Sequence, residues 1–249
     1  GIASPATGLL VFQDSPDSIG FHYYNGTQWI WLASSAKIDS TAWLTTGNTG
    51  LNDTSFIGHR DNKPVNFRSN NIRIGKFDRA NANYYIGRAA GGDNASGYVA
   101  IGDSAGTVIN NNYAGIYIGY KSGRANTGYN NSFVGSWTGE KTTTGSSNTF
   151  VGTAAGYLNT IGTENTFTGM FSGRNSSTGN KNTALGTLSM YNIGAGSNNV
   201  AIGYNTLSDY QGDNITAVGT YALDSLTTGT RATAVGYRAL AQNTTGDRN

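Results

Sequence analysis

The sequence predicts an all-β fold: a parallel β-roll, or β-solenoid, with coils of about 17 residues, behind a small N-terminal antiparallel β region. The first observation behind this is a motif that returns. Asn131-Ser-Phe-Val-Gly135 comes back as Asn148-Thr-Phe-Val-Gly152, Asn165-Thr-Phe-Thr-Gly169, Asn182-Thr-Ala-Leu-Gly186 and Asn199-Val-Ala-Ile-Gly203. It ends as Ile215-Thr-Ala-Val-Gly219 and Ala232-Thr-Ala-Val-Gly236. The glycine steps are 17, 17, 17, 17, 16 and 17. The second observation is another glycine on the same beat, running through Gly128, Gly145, Gly162, Gly179, Gly196, Gly212, Gly229 and Gly246. The third is composition: 36 Gly against 3 Pro, only 12% charged residues, and 15 Tyr. Polar, low-charge tracts can be disordered, but regularly spaced apolar columns argue for an ordered stack.

One coil is read with its motif glycine as position 0. Position −1 is apolar in every repeat but Thr168, and mostly β-branched, as a strand residue facing a core would be. Position −2 is Phe133, Phe150 and Phe167, then Ala184, Ala201, Ala217 and Ala234. Adjacent strand residues face opposite sides, so both faces of this strand are expected to be buried. Position +3 is small throughout: Thr138, Ala155, Ser172, Ser189, Thr206, Ala222 and Ala239. This column is expected in a crowded core or a trimer interface, with Ala155, Ala222 and Ala239 facing neighbouring chains. Position +4 changes from Gly139, Gly156 and Gly173 to Met190, Leu207, Leu223 and Leu240 where −2 changes from Phe to Ala. The two columns therefore share one packed space. Position −4 is Asn in five repeats, Asn131 to Asn199. Asn suits a turn, and stacked amides can also bond from coil to coil; both readings stand.

Three regions follow. Residues 1–35 read as a meander, with strands Leu9–Phe12, Phe21–Tyr24 and Trp29–Leu32 and a hairpin signal at Asn25-Gly26. Three short strands bury too little to stand alone, so a partner surface is expected, most simply other copies. Residues 36–80 read as a connector with short strands at Ser55–Gly58, Pro64–Phe67 and Asn71–Gly75. Seven basic residues between Arg60 and Arg88 face only Asp61 and Asp78, which fits charge-blunted edge strands or an anion-binding patch. Residues 81–249 read as the solenoid, which starts out of step at Gly87, Gly102 and Gly119 and counts ten coils to Gly236. At the usual spacing of stacked strands, ten coils make a rod on the order of 50 Å.

Val99-Ala-Ile-Gly102 and Asn199-Val-Ala-Ile-Gly203-Tyr-Asn-Thr-Leu207 resemble the head repeat of YadA-type trimeric adhesins. The resemblance covers about residues 84–249. It implies a left-handed parallel β-roll with three chains side by side, with coils longer than that family's usual repeat. Upstream, Ala3-Ser-Pro-Ala-Thr-Gly-Leu-Leu-Val-Phe12, Tyr23-Tyr-Asn-Gly-Thr-Gln-Trp29 and Trp43-Leu-Thr-Thr-Gly-Asn-Thr-Gly50 are similar to segments preceding such repeats in tail-fibre-like proteins of bacterial or phage origin. Many of those end in a self-cleaving chaperone. The chain reads as a segment of such a longer protein.

Chemistry has few candidates. His22 and His59 lack a partnered nucleophile nearby, and Asp14, Asp17 and Asp39 lack the spacing of a calcium loop. The absence of Cys removes thiolate and disulfide chemistry. No catalytic, cofactor or metal residues are expected. A net charge of +2 implies neither nucleic acid nor an acidic membrane, and no apolar run spans a bilayer. The expected function is attachment: an extracellular homotrimeric fibre segment, on a tail or a cell surface, binding a cell-surface glycan or protein through Tyr120, Trp137, Tyr204, Tyr221 and Tyr237 at +1 or +2. The alternative is a passive stalk. An ice-binding face or a polysaccharide lyase is less well supported, for want of flat Thr rows or clustered acid and base groups.

Overall fold

A strand of three residues cannot hold itself, but the same strand repeated every coil can pair with its own copies above and below. That principle builds most of this chain. The computed structural model describes residues 4–13, 20–32, 60–92, 95–109, 114–245 and 247. The expected connector at 33–50, the strand at 55–58, His59, Asp14, Asp17 and Asp39 lie outside them. The chain divides into two units, Gly1–Gly58 and His59–Asn249.

In the first unit, β1 (Leu10–Gln13), β2 (Gly20–Tyr24) and β3 (Trp29–Trp31) form the expected antiparallel meander in the order β1-β2-β3. The Asn25-Gly26 signal marks a hairpin, but the loop is longer than the two-residue turn that the dipeptide predicts. Asn25 Oδ1 accepts from the Thr27 and Gln28 amides at 2.9 Å each, so the side chain organises residues 25–28 as one turn.

The second unit is one twelve-stranded sheet. It opens with an antiparallel hairpin, β4 (Val65–Ser69) and β5 (Ile72–Asp78), which pairs with β6 (Asn83–Ile86). From β6 onward every pairing is parallel: β7 (Tyr98–Ile101), β8 (Gly115–Ile118), β9 (Ser132–Val134), β10 (Thr149–Val151), β11 (Thr166–Thr168), β12 (Thr183–Leu185), β13 (Val200–Ile202), β14 (Thr216–Val218) and β15 (Thr233–Val235). Register follows the repeat: Phe133 pairs with Phe150, Phe150 with Phe167, Phe167 with Ala184. The hairpin residues expected in the connector are thus the first strands of the solenoid sheet.

Motif glycines hold that register. At Gly135, φ is +137°, and a Cβ would lie 2.6 Å from the carbonyl oxygen of Gly152 in the next coil. No other residue fits where two backbones come so close. The second glycine column meets the same limit, since a Cβ on Gly145 would sit 2.5 Å from the Gly162 oxygen.

Inside the coil, the −2 side chains stack. The Phe133 and Phe150 rings are 4.7 Å apart and 3° from parallel, and Phe150 and Phe167 are 4.9 Å and 8°. These spacings match the strand separation, so the rings stack parallel and offset along the column. The +4 column faces the same space. A Cβ on Gly139, Gly156 or Gly173 would reach 2.4–2.5 Å from its own coil's Phe ring. Where the ring gives way to Ala184, Ala201 and Ala217, the space is filled by Met190, Leu207 and Leu223, all fully buried. Those larger residues keep the left-handed backbone of the glycines they replace, with φ of 50–52°, a costly conformation for a side chain with a Cβ.

The Asn column ties coil to coil. Each buried Asn accepts at Oδ1 from the amide of the residue one coil on: Asn148 to Asn131, Asn165 to Asn148 and Asn182 to Asn165 at 2.9 Å, then Ile215 to Asn199 at 2.9 Å. Its Nδ2 donates to the second-column glycine of the next coil, as Asn165 does to Gly179 at 2.7 Å. The coil-to-coil reading of this column holds, while the left-handed backbone of the turn falls one residue earlier, at Asn130, Ser147, Glu164, Lys181 and Asn198.

Two expectations need correction. The +3 column does not wait for a neighbouring chain: Ala155, Ser172, Ser189, Thr206 and Ala222 are fully buried within their own coils, and Ala239 packs partly buried against the same core. Small size is required there because the Ser and Thr hydroxyls bond backbone at close range, as Thr206 does to the Gly219 carbonyl at 2.7 Å. The strand is also not buried on both sides within one chain. Its −2 side faces the core, whereas −1 residues such as Val151, Leu185 and Val235 are 38%, 48% and 69% exposed.

Phe150→Ala alone should cost about 3–5 kcal/mol through the cavity left behind, and Gly156→Leu alone should clash with the Phe150 ring. Together the two changes reproduce the Ala/Leu coil, so denaturant unfolding of the double variant should recover most of the loss. In the Asn column, Asn165→Ala strands the Asn182 amide and the Gly179 carbonyl, and should cost about 1–3 kcal/mol for each. A midpoint unchanged from the parent chain would remove the ladder from the forces that hold the stack.

Candidate attachment surface

Outward-facing residues of one coil fall on two surfaces of different character. The strand face carries −3 and −1 and is monotonous: Thr, Val, Ile and Leu dominate from β9 to β15. It continues onto the opening hairpin, where Phe67, Phe77 and Tyr84 lie exposed with ring centres 5.4 and 6.1 Å apart. The basic residues near this hairpin mostly serve their own chain. Arg73 donates to the Ala90 and Gly91 carbonyls at 3.3 and 3.5 Å, and Arg88 pairs with Asp103 at 3.3 Å. Lys76 pairs with Asp78 at 3.2 Å, the side chains 11% and 2% exposed. Burial disfavours the Asp78 carboxylate, but hydrogen bonds from Asn81 and Lys76 outweigh it and hold the group below the ordinary carboxylate range.

The other surface lies past the motif glycine. Position +2 is left-handed in every coil, including Trp137 at 56°, Phe171 at 59°, Tyr221 at 58° and Arg238 at 52°. Glycine would adopt this backbone without the cost of roughly 1–2 kcal/mol that other residues meet. The chain instead places large side chains there, which sets them on the outside of the turn. The amide at +2 bonds back to the preceding coil, as Trp137 does to the Tyr120 carbonyl at 2.8 Å, so the display is fixed to the stack.

The expected surface residues gather into two groups. Tyr120 and Trp137 meet edge to face, with ring centres 5.7 Å apart, and the Lys121 ammonium lies 5.0 Å above the Tyr120 ring. Four coils further on, Tyr204 and Tyr221 meet at 5.4 Å and 84°. Burial and the neighbouring Tyr204 and Tyr237 push the Tyr221 phenol above its ordinary value, while Arg238 pulls it down. Tyr237 is the most open of the set, at 72%. The two groups do not touch, being separated by about 20 Å of stack.

Between them the structure adds a group that sequence reasoning missed. Arg174 at +5 sits with Tyr157 and Tyr191, the +5 residues of the coils before and after, and with Phe171 at +2 of its own coil. The signal was present as a cation flanked by rings one period away on each side. Column +5 otherwise varies, running from Glu140 to Ser208 and Asp224, so it does not stand out as a pattern.

Hydroxyl side chains at +8 are not free for a ligand. Thr127, Thr143 and Thr160 each donate to the carbonyl of the corresponding residue one coil on, at 2.9–3.0 Å. Among the described residues no group of three or more His, Cys, Asp or Glu is placed to hold a metal ion, and no helix is long and apolar enough to cross a membrane. The surface offers ring faces, a few cations and shallow relief.

Comparison with known proteins places one part of the chain. Residues 1–50 match the family model described as a phage tail like trimerisation region. No curated protein and no solved structure matched the chain. The N-terminal region is therefore similar to a trimerisation region of phage-tail-like proteins, and the solenoid behind it is described by its geometry alone.

Proposed function

We propose that the chain is an attachment segment of a homotrimeric extracellular fibre, on a phage tail, a tail-like injection particle or a cell surface. In this reading three copies pack through the strand face, as in a YadA-type head, and the aromatic columns past the glycine bind a cell-surface glycan or protein. The observation that carries it is the contrast between the two outer surfaces of each coil. A face that repeats Val, Ile or Leu at −1 in all but one strand from β9 to β15 suits identical copies aligned along one axis, since successive levels make the same kind of contact. An exposed apolar surface of that extent is unusual for a chain that works alone. The match of residues 1–50 to a trimerisation region supports the same number of copies. The turn surface differs from coil to coil, which suits an external ligand read by many weak contacts and strengthened by threefold display. No turnover or cofactor enters this function.

A passive spacer is the second reading. It is favoured by the ladders of Asn and Thr that tie successive coils together through the middle of the stack, and it assigns binding to another part of the fibre.

Val151→Asp with Ile202→Asp separates the interface from the core. Both side chains face outward in one chain, so the solenoid should keep its circular dichroism while sedimentation shows the loss of the three-chain species. An unchanged trimer mass would move the interface elsewhere. Tyr204→Ala with Tyr237→Ala should leave the trimer intact and weaken attachment of the fibre-bearing particle or cell. If attachment survives that change and also the deletion of residues 126–249, the spacer reading stands.

A further inference from the structure

Two of the aromatic groups along the turn surface carry a cation set against their rings. Lys121 lies over Tyr120, and Arg174 lies among Tyr157, Phe171 and Tyr191. Arg174 is the more tightly built of these. Its guanidinium carbon is 5.2 Å from the Tyr157 ring centre, 5.7 Å from that of Tyr191 and 5.8 Å from that of Phe171. Nη1 donates to Asn175 Oδ1 at 3.0 Å and reaches the Tyr191 hydroxyl at 3.5 Å. Asn175 is itself held by a hydrogen bond to Asn192 one coil on. The guanidinium is thus oriented from several sides.

Its charge is not answered. No carboxylate forms a salt bridge with Arg174 among the described residues, and its Nε and Nη2 donors have no protein acceptor there. Arg124 in the same +5 column shows the contrast. Its Nη1 lies 3.4 Å from Glu140 Oε1, and that carboxylate is almost fully covered. The column therefore pairs one arginine with its own acid and leaves the other fixed, half-buried and open along the Nε–Nη2 edge. That edge is a planar fork that matches two carboxylate oxygens. Beside it stand apolar ring faces of the kind on which a sugar ring rests. A neutral polysaccharide would use the rings and leave the fork idle, while a bare anion would use the fork and leave the rings idle.

We propose that Arg174, with Tyr157 and Tyr191, forms a subsite for a carboxylate-bearing sugar unit, so that the surface recognises acidic polysaccharide. The inference rests on the attachment reading and names its ligand class. In the bound state the carboxylate takes the Nε–Nη2 edge of Arg174 and the sugar ring lies against a tyrosine face. Lys121 meets a further carboxylate on the same strand of polymer.

The test uses the 249-residue chain on immobilised polygalacturonate and on the same polymer fully methyl-esterified, which keeps the rings and removes the charge. The acid form should bind, and esterification should weaken binding by about tenfold or more, as expected when charge-assisted hydrogen bonds are lost. Arg174→Gln should markedly reduce the preference for the acid form, and Arg174→Lys should restore only part of the loss, since it keeps the charge without the fork. Tyr157→Ala should weaken both polymers alike. Melting temperature confirms that each variant stays folded. Equal binding of the two polymers, or an acid preference untouched by Arg174→Gln, overturns the acidic subsite and leaves attachment through ring faces standing. Binding to neither polymer also overturns the subsite, and the attachment reading is then judged by the Tyr204 and Tyr237 substitutions on the intact fibre.

Discussion

The distance from one coil to the next is the constraint on which the structure depends. Stacked strands are separated by roughly 4.8 Å, and every column must accept that repeat. At the two glycine columns the limit is met backbone against backbone, where any side chain would enter the carbonyl of the following coil. Once those contacts set the spacing, the other columns follow. Phe rings stack parallel and offset, the geometry aromatic pairs prefer, because centroids one repeat apart can slide past one another into contact. Asn amides bridge coils because the side chain spans the same gap between an amide hydrogen and a carbonyl.

The interior shows how a repeat stays regular while its residues change. Ring and glycine in one half of the stack become methyl and branched side chain in the other. The volume is nearly conserved but changes sides, and the backbone at +4 keeps its left-handed form in both. Leu207 and Leu223 tolerate a strained φ because the alternative is a hole beside Ala201 and Ala217, and a cavity of that size costs more than the strain. The +2 column accepts the same strain for an outward purpose, since nothing in the core asks for Trp137 or Tyr221.

Much of this was legible in the sequence. The period, the strand, the glycine columns and the exchange between −2 and +4 all follow from residues in fixed places. The +3 column was harder, because a small residue says only that some backbone is near. Ala222 would look the same against another chain as against the next coil, and the structure shows the second. The apolar −1 column has the opposite ambiguity. Val151 reads as buried, yet within one chain it lies open. Arg174 escaped notice because its partners lie one period away in a column with no common residue type. A site made of unlike neighbours leaves no repeat to find.

The Asn ladder has a consequence for inheritance. Each Asn from Asn131 to Asn199 receives at its amide oxygen a hydrogen bond from the coil that follows, so those coils present the same socket and the same plug. Excising one full period between Gly135 and Gly169 would join a Phe-type coil to another Phe-type coil with all columns in register. Recombination between neighbouring repeats can therefore shorten or lengthen the stack in whole coils without disturbing the core. The junction between Gly169 and Gly186 is the exception, because there the filling of the core changes sides. Length can vary freely on either side of that boundary, while the boundary itself behaves as a single heritable piece.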